Sequence, residues 1–119
     1  RFDNGEEVKA AAAPAFLGDP SCVDPEEAFV AAIASCHMLT FLAIAARKRL
    51  VVDSYEDQAI GHMERNESGR LAVTRVELHP KIMFAEGVIV DAGTLEKMHH
   101  LSHEECFIAN SIKSEVTVR

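Results

Sequence analysis

The sequence predicts a single α+β domain over residues 1–119, in which an antiparallel sheet packs against one long central helix and a second, broken helix. Three observations predict this class. A long stretch without charged residues follows a strong helix start, a segment of alternating apolar and charged residues comes next, and a further pair of helix signals stands near the C-terminus. The length is close to that of one ordinary domain.

The composition excludes several classes of protein. Twelve Lys and Arg stand against 19 Asp and Glu, and a net charge of −7 argues against a nucleic-acid partner. Three cysteines are too few for a disulfide-rich secreted scaffold, and the chain starts with a polar, acidic segment rather than a signal peptide, so we expect a reducing cytoplasm. Seventeen alanines leave few large residues for a core, which favours an oligomer.

The N-terminal residues 1–23 predict one short strand and a loop. Val8, Lys9 and Ala10 form the strand-like segment, and the prolines and glycine that follow indicate an irregular connection.

The longest helix is predicted to begin after Asp24 and to end near Arg49. Asp24 suits the N-cap, Pro25 suits the first helical position, and Glu27 completes a pattern like a capping box. Residues 28–46 contain no Asp, Glu, Lys or Arg, which predicts a helix that is buried all round.

The same 19 residues are about the minimum for a membrane span. Seven of them are Ala, and Ser, Cys, His and Thr stand at the centre, so we predict a core helix and no membrane partner.

Two strands are predicted at about 52–65 and 70–84, joined by a turn at 66–69. One face of the second strand carries Val76, Leu78, Ile82 and Phe84, and the other carries Arg75, Glu77, His79 and Lys81. Such a strand has one face that requires covering by a helix.

The C-terminal part predicts a short helix from near Thr94. Ser102 begins a second capping-box pattern that ends at Glu105, so a new helical segment is expected to start at His103. Residues 116–118 then predict a final strand.

Two cysteines are candidates for chemistry. Cys36 lies in the middle of the apolar helix, and Cys106 is predicted in the first turn of the last helical segment, where free N–H groups lower the pKa of a thiol. Free cysteine often simply fills a core, so on spacing alone two structural thiols are the better interpretation. Glu26 is likewise explained as a first-turn acid that the helix dipole favours.

The segment Asp24-Pro25-Glu26-Glu27, then Cys36, and later His103-Glu104-Glu105-Cys106 resemble the OsmC/Ohr family of osmotically inducible protein C and organic hydroperoxide resistance protein. The resemblance covers the chain from about Glu6 to its end. It implies the OsmC-like fold and an intertwined homodimer with active sites at its interface. It also implies a peroxidase that reduces organic hydroperoxides with an external dithiol and uses neither a metal nor an organic cofactor.

Residue by residue, the resemblance implies that Cys36 is the peroxidatic thiol and Cys106 the resolving thiol, and that the two form a disulfide in the cycle. Glu26 matches the acid that pairs with an arginine in the family. That arginine has no clear match here, which leaves Lys48 or His37 as substitutes, unless the arginine lies on a segment before residue 1.

Other interpretations stay open. His99, His103 and Cys106 have the spacing of metal ligands on one helix face. A non-catalytic dimer of the same fold, which binds a small apolar ligand or senses oxidants, is a second hypothesis. Cys22 matches no family cysteine and is interpreted as an incidental loop thiol. Phe107 stands where many members have proline, which suggests a different pocket.

Overall fold

A computed structural model describes residues 1–119 and confirms the α+β class. The helices are α1 (Pro25–Arg47) and α2 (Ala92–Glu105), and the strands are β1 (Val52–Asp57), β2 (Ile60–Arg65), β3 (Leu71–Leu78), β4 (Pro80–Phe84) and β5 (Glu115–Val118). Strands β1 and β4 form a two-stranded sheet, and a three-stranded sheet has the order β2-β3-β5. Single 3₁₀ turns lie at Pro14–Phe16 and Ala109–Ser111.

The strand predicted at residues 8–10 is reduced to one bridge, in which Ala10 pairs in parallel with Val23. Two backbone hydrogen bonds hold it, from Ala11 to the Val23 carbonyl and from Val23 to the Lys9 carbonyl. The N-terminal segment therefore lies against the start of α1 without joining a sheet.

Helix α1 begins as predicted. The Asp24 carboxylate accepts a hydrogen bond of 2.8 Å from the Glu27 N–H, and Pro25 occupies the first position. The helix ends two residues before the predicted Arg49, because Arg49 adopts a left-handed φ of 59°. The N–H of Leu50 then bonds to the Ala45 carbonyl, which completes a Schellman motif.

Only one face of α1 is buried within the chain, by Ile33, His37, Phe41, Ile44 and Ala45. The opposite face is exposed and forms a stripe of small residues and one leucine. This exposed stripe consists of Ala28, Ala31, Ala32, Ser35, Leu39, Ala43 and Ala46. The prediction of a helix buried all round is therefore not met by one copy of the chain.

By length and hydropathy alone, α1 is also the one helix that is apolar enough to cross a membrane. That is weak support for a span, because the core helix of a soluble protein passes the same test. The packing of its buried face on strands and on α2 is that of a core helix.

The two predicted strands form one long ribbon, but the ribbon is broken in the middle. The same register holds on both sides of the break, since Asp57 pairs with Pro80 and Ile60 with Glu77, but residues 58 and 59 between them are unpaired. Pro80 has no N–H to donate, and the Asp57 carboxylate accepts the His79 N–H at 2.8 Å in place of a ladder bond. The ribbon therefore divides into β1–β4 and β2–β3, which cover different parts of α1.

The predicted alternation along β3 and β4 is confirmed. Val76 and Leu78 are fully buried and pack with Ile33 of α1, whereas Arg75 and Lys81 are exposed. A second cluster unites Phe41, Ile44, Ala45 and Met98 with residues of β1 and β4. Strand β5 pairs in parallel with β3, so the second sheet is mixed rather than purely antiparallel.

Helix α2 is continuous, and the predicted break and cap at Ser102 are wrong. Asp91 caps the helix by accepting the Thr94 N–H at 2.8 Å. Ser102 is fully buried, and its hydroxyl donates to the Met98 carbonyl one turn earlier. Cys106 consequently follows the C-terminal end of a helix and does not open one.

A pair of histidines joins the two helices. The Nε2 atom of His37 lies 3.0 Å from Nδ1 of His99, and the two rings stack with centroids 5.3 Å apart. Phe41 stacks on the same His99 ring. Burial, and to a lesser degree the neighbouring His99 and His103, lower the pKa of His37 to about 4, so this imidazole is neutral at pH 7.

We expect the free energy of unfolding to decrease as the pH falls from about 6.5 to about 4. Unfolded His37 takes up a proton below pH 6.5, but folded His37 resists protonation until about pH 4. Chemical denaturation at a series of pH values measures this dependence. His37→Gln should flatten the profile in this window, and His100→Gln, at an exposed position of α2, should not. An equally steep profile for His37→Gln would contradict the assignment.

Candidate active site

The structure brings Cys36 and Cys106 together although 70 positions separate them. Cys36 projects from the middle of α1 and is half-buried, whereas Cys106 follows α2 and is fully buried. Both are free thiols, and each lies close enough to the other to shift its pKa. The two sulfurs therefore meet where the end of α2 passes the centre of α1.

A tight turn after α2 surrounds the two sulfurs with main-chain donors. Cys106 leaves the helix with φ −67° and ψ 115°, and its carbonyl accepts the Asn110 N–H at 3.0 Å. The Ala109 N–H donates to the Cys106 sulfur at 3.4 Å. The backbone of Phe107 and Ile108 in this turn lies close enough to Cys36 to lower the pKa of its thiol.

These surroundings lower the pKa of Cys36. Its partial burial acts to raise the pKa, but hydrogen bonds from the Cys106 thiol, the two backbone N–H groups and Thr40 outweigh this effect. None of these contributions comes from a charged side chain. Cys36 is therefore the thiol that more readily becomes the nucleophilic thiolate.

The pKa of Cys106 shifts the other way. Burial and the hydrogen bond with Cys36 raise it, and the N–H groups of Ala109 and Ile108 oppose this only in part. The sequence-based expectation of a thiol activated by a helix N-terminus is wrong, because Cys106 stands at the C-terminal end of α2, where the dipole disfavours a thiolate. Cys106 therefore keeps its proton more readily than Cys36 does.

Glu26 lies apart from the two thiols. It is in the first turn of α1, ten residues before Cys36, which corresponds to about 15 Å along a helix axis. Its Oε2 atom is buried and has no hydrogen-bond partner. The carboxylate borders a cavity of about 750 Å³, lined mostly by apolar residues of α1, β2 and the N-terminal segment. Asp57, which also has an unpaired buried oxygen, borders the same cavity.

Neither His37 nor Lys48, the two suggested substitutes for the arginine, provides a positive charge beside Cys36. His37 is neutral and hydrogen-bonded to His99, and Lys48 caps the far end of α1, about 18 Å from Cys36 along the axis. Cys22 stays in the N-terminal loop as a partly exposed free thiol.

The positions of His99, His103 and Cys106 do not support the alternative of a metal centre. No group of three or more His, Cys, Asp or Glu side chains is arranged to hold an ion. His99 instead stacks on His37, and His100 pairs with Glu104 at 2.9 Å.

Sequence reasoning missed the main-chain donors and Thr40. Backbone N–H groups carry no residue signature, so only the conformation of the turn reveals them. The single sequence signal was a non-proline residue directly after Cys106, because proline would have no N–H there.

Comparison with known proteins gives a consistent family. The sequence profile described as OsmC-like protein matches residues 18–119. No curated protein shows a significant sequence match to this chain. Among solved structures, an OsmC-like protein of unknown function from Vibrio cholerae is 48% identical, with a TM-score of 0.96 over 99% of this chain and 79% of that one.

Two more distant structures share the fold. An organic hydroperoxide resistance protein OsmC from Legionella pneumophila is 20% identical, with a TM-score of 0.73 over 98% of this chain and 84% of that one. An organic hydroperoxide resistance protein from Elizabethkingia anophelis is 20% identical, with a TM-score of 0.76 over 98% and 83%.

We expect iodoacetamide to modify Cys36 at least about tenfold faster than Cys106 at pH 7. The pKa of Cys36 is lowered, whereas the pKa of Cys106 is raised and the Cys106 side chain is buried. The Cys22→Ser variant removes the third thiol, and peptide mapping after brief labelling gives the two rates. Equal alkylation rates of Cys36 and Cys106 in the folded protein would contradict the opposite pKa shifts of the two thiols. Equal rates in denaturant serve as the control.

Proposed function

This chain belongs to the OsmC-like family, and we propose that it is a thiol-dependent peroxidase that reduces organic hydroperoxides through Cys36 and Cys106. The observation that carries the proposal is that two free thiols, 70 positions apart, lie close enough to affect each other's pKa, and that their pKa values shift in opposite directions. A peroxidatic pair requires one thiolate to attack and one protonated neighbour to resolve.

The proposed cycle has three balanced steps. The Cys36 thiolate attacks one oxygen of the hydroperoxide, the O–O bond breaks, and the other oxygen leaves and takes a proton as the alcohol. Cys36 is then a sulfenic acid. The Cys106 sulfur attacks the Cys36 sulfur, a disulfide forms and water leaves. An external dithiol reduces the disulfide and is itself oxidised to a disulfide.

The substrate class rests on relatives and on the surface near the thiols. Two solved structures of the same fold are named organic hydroperoxide resistance proteins. Phe107, which directly follows Cys106 in the sequence, is an apolar side chain that is 81% exposed. An alkyl hydroperoxide gains from such a contact, whereas hydrogen peroxide has no apolar part to bury.

We assign Glu26 a positioning role in the same proposal. Its unpaired buried oxygen favours a cationic partner, because a buried carboxylate without one is costly. A guanidinium that bonds to Glu26 would lie along the α1 surface toward Cys36, as the family resemblance implies.

The proposal includes a homodimer. The exposed stripe on α1 is a continuous apolar surface without charged residues, and its small residues permit close approach of another helix. Leu39, at its centre, is 60% exposed in one copy of the chain. Packing of two stripes would cover α1 on both sides and enlarge a core that contains few large residues.

We expect Cys36→Ser to abolish consumption of cumene hydroperoxide, because no thiolate remains to attack. Cys106→Ser should still consume about one equivalent and then stop as a sulfenic acid, which dimedone labels. Ferrous–xylenol orange measures the peroxide, and Cys22→Ser serves as the matched cysteine control with full activity. Turnover by Cys36→Ser at the parent rate would overturn the enzymatic proposal.

We expect Leu39→Glu to convert the dimer to a monomer in sedimentation velocity experiments, since the charge would have to be buried between the two stripes. Ile89→Glu is the control, because Ile89 is 92% exposed in a loop outside the stripe and should leave the dimer intact. A parent protein that sediments as a monomer at micromolar concentration would contradict the dimer.

A further inference from the structure

We propose that His99 is a positioning residue for disulfide formation. Its hydrogen bond to His37 fixes the register of α2 on α1, and this register holds Cys106 beside Cys36. The inference rests on the proposed function, in which these two thiols form a disulfide. It assigns a role to a pair of imidazoles that the proposed cycle does not use, and His99 acts only through the position of Cys106.

The His99 ring is held by two residues of α1 that lie one turn apart. Its Nδ1 atom is 3.0 Å from Nε2 of His37, and the two rings stack with an interplanar angle of 8°. Phe41 also stacks on the His99 ring, with centroids 4.6 Å apart. His37 is 1% exposed, so water does not readily replace His99 as its partner. Helix α2 therefore cannot shift along α1 without leaving a buried nitrogen unpaired.

The His37–His99 hydrogen bond is the more deeply buried of the two polar links between α1 and α2. The other is the ion pair of Arg47 with Glu105, whose side chains are 65% and 48% exposed, and exposed pairs contribute little. Met98 adds apolar contacts, but the hydrophobic effect has no preferred direction and tolerates a small shift. A hydrogen bond is directional, so this one determines the register of the two helices.

The position of Cys106 depends on that register. Cys106 directly follows the last residue of α2, seven residues after His99, so it moves with the helix. A slip of one helical turn is about 5.4 Å. A disulfide requires Cα atoms within about 7 Å of each other, so such a slip would prevent the bond between the two thiols.

His99→Leu removes the hydrogen bond, whereas His99→Asn keeps it, because an asparagine amide reaches about as far as Nδ1 of histidine and can donate or accept. His100→Leu is the matched control for the leucine, since the His100 side chain is 73% exposed on the same helix. Val76→Ala controls for a general loss of stability, because the core cluster of Val76 contains no residue of α2.

The measurement is the effective concentration of the two thiols in glutathione redox buffer, in the Cys22→Ser background. Two protein thiols and one oxidised glutathione give the protein disulfide and two reduced glutathione molecules. We expect His99→Leu to lower the effective concentration about tenfold, and the other three variants to stay within about threefold of the parent. Equal values for His99→Leu and the parent would overturn the proposal. A loss of the same size in His99→Asn or in Val76→Ala would also overturn it.

A second measurement requires no variant at residue 99. Coupling between two sites is reciprocal, so a hydrogen bond that favours the disulfide must be favoured by it. The imidazole proton between His37 and His99 should therefore exchange with solvent at least about fivefold more slowly in the disulfide form than in the reduced form, as measured by NMR. Equal exchange rates in the two forms would overturn the proposal.

Neither measurement uses a peroxide, so the two proposals can fail separately. If the variants behave as expected but the protein consumes no hydroperoxide, only the proposed function is refuted. If hydroperoxide turnover proceeds and His99→Leu keeps the parent effective concentration, only this inference is refuted. A parent protein that forms no disulfide between Cys36 and Cys106 would refute both.

Discussion

Both halves of the molecule depend on the packing of one face of α1. The β1–β4 pair and the β2–β3–β5 sheet have separate core clusters, and α1 contributes to each of them, with Ile33 in one and Phe41 in the other. Each large side chain of this face is almost completely buried, which stabilises the fold by about 1.5–3 kcal/mol per residue. Without α1, the two sheets would be joined only by a kinked ribbon with no common core.

The same helix explains where the thiols lie. Cys36 stands between Ile33 and Phe41 along α1, at the point where the two core clusters meet. Helix α2 is attached there by the buried His37–His99 hydrogen bond and by Met98 in the core, and the chain turns directly after it. The end of α2 is therefore held against the centre of α1, which is the condition for contact between two cysteines so distant in the sequence.

The sequence predicted features that depend on local chemistry and missed those that depend on tertiary context. Asp24 and Pro25 start a helix wherever they occur, and the alternation around Val76 marks a half-buried strand in any sheet. Ser102 was misread, because a serine followed by acidic residues begins a helix at the surface, whereas a buried serine bonds to the preceding turn. The break in the ribbon required knowing that the Asp57 carboxylate replaces a ladder bond beside Pro80.

The candidate site also depends on tertiary context that the sequence does not reveal. The resemblance selected Cys36 and Cys106 and implied activation by a cation, whereas the groups that lower the pKa of Cys36 within one chain are uncharged. Burial raises the pKa of both thiols, but only for Cys36, the less buried of the two, do hydrogen bonds outweigh it. The turn after Cys106 acts on both thiols, since the Ala109 N–H donates to the Cys106 sulfur and the backbone of Phe107 and Ile108 lowers the pKa of Cys36. Two identical side chains therefore acquire opposite pKa shifts from the different burial and backbone surroundings at the centre of α1 and at the end of α2.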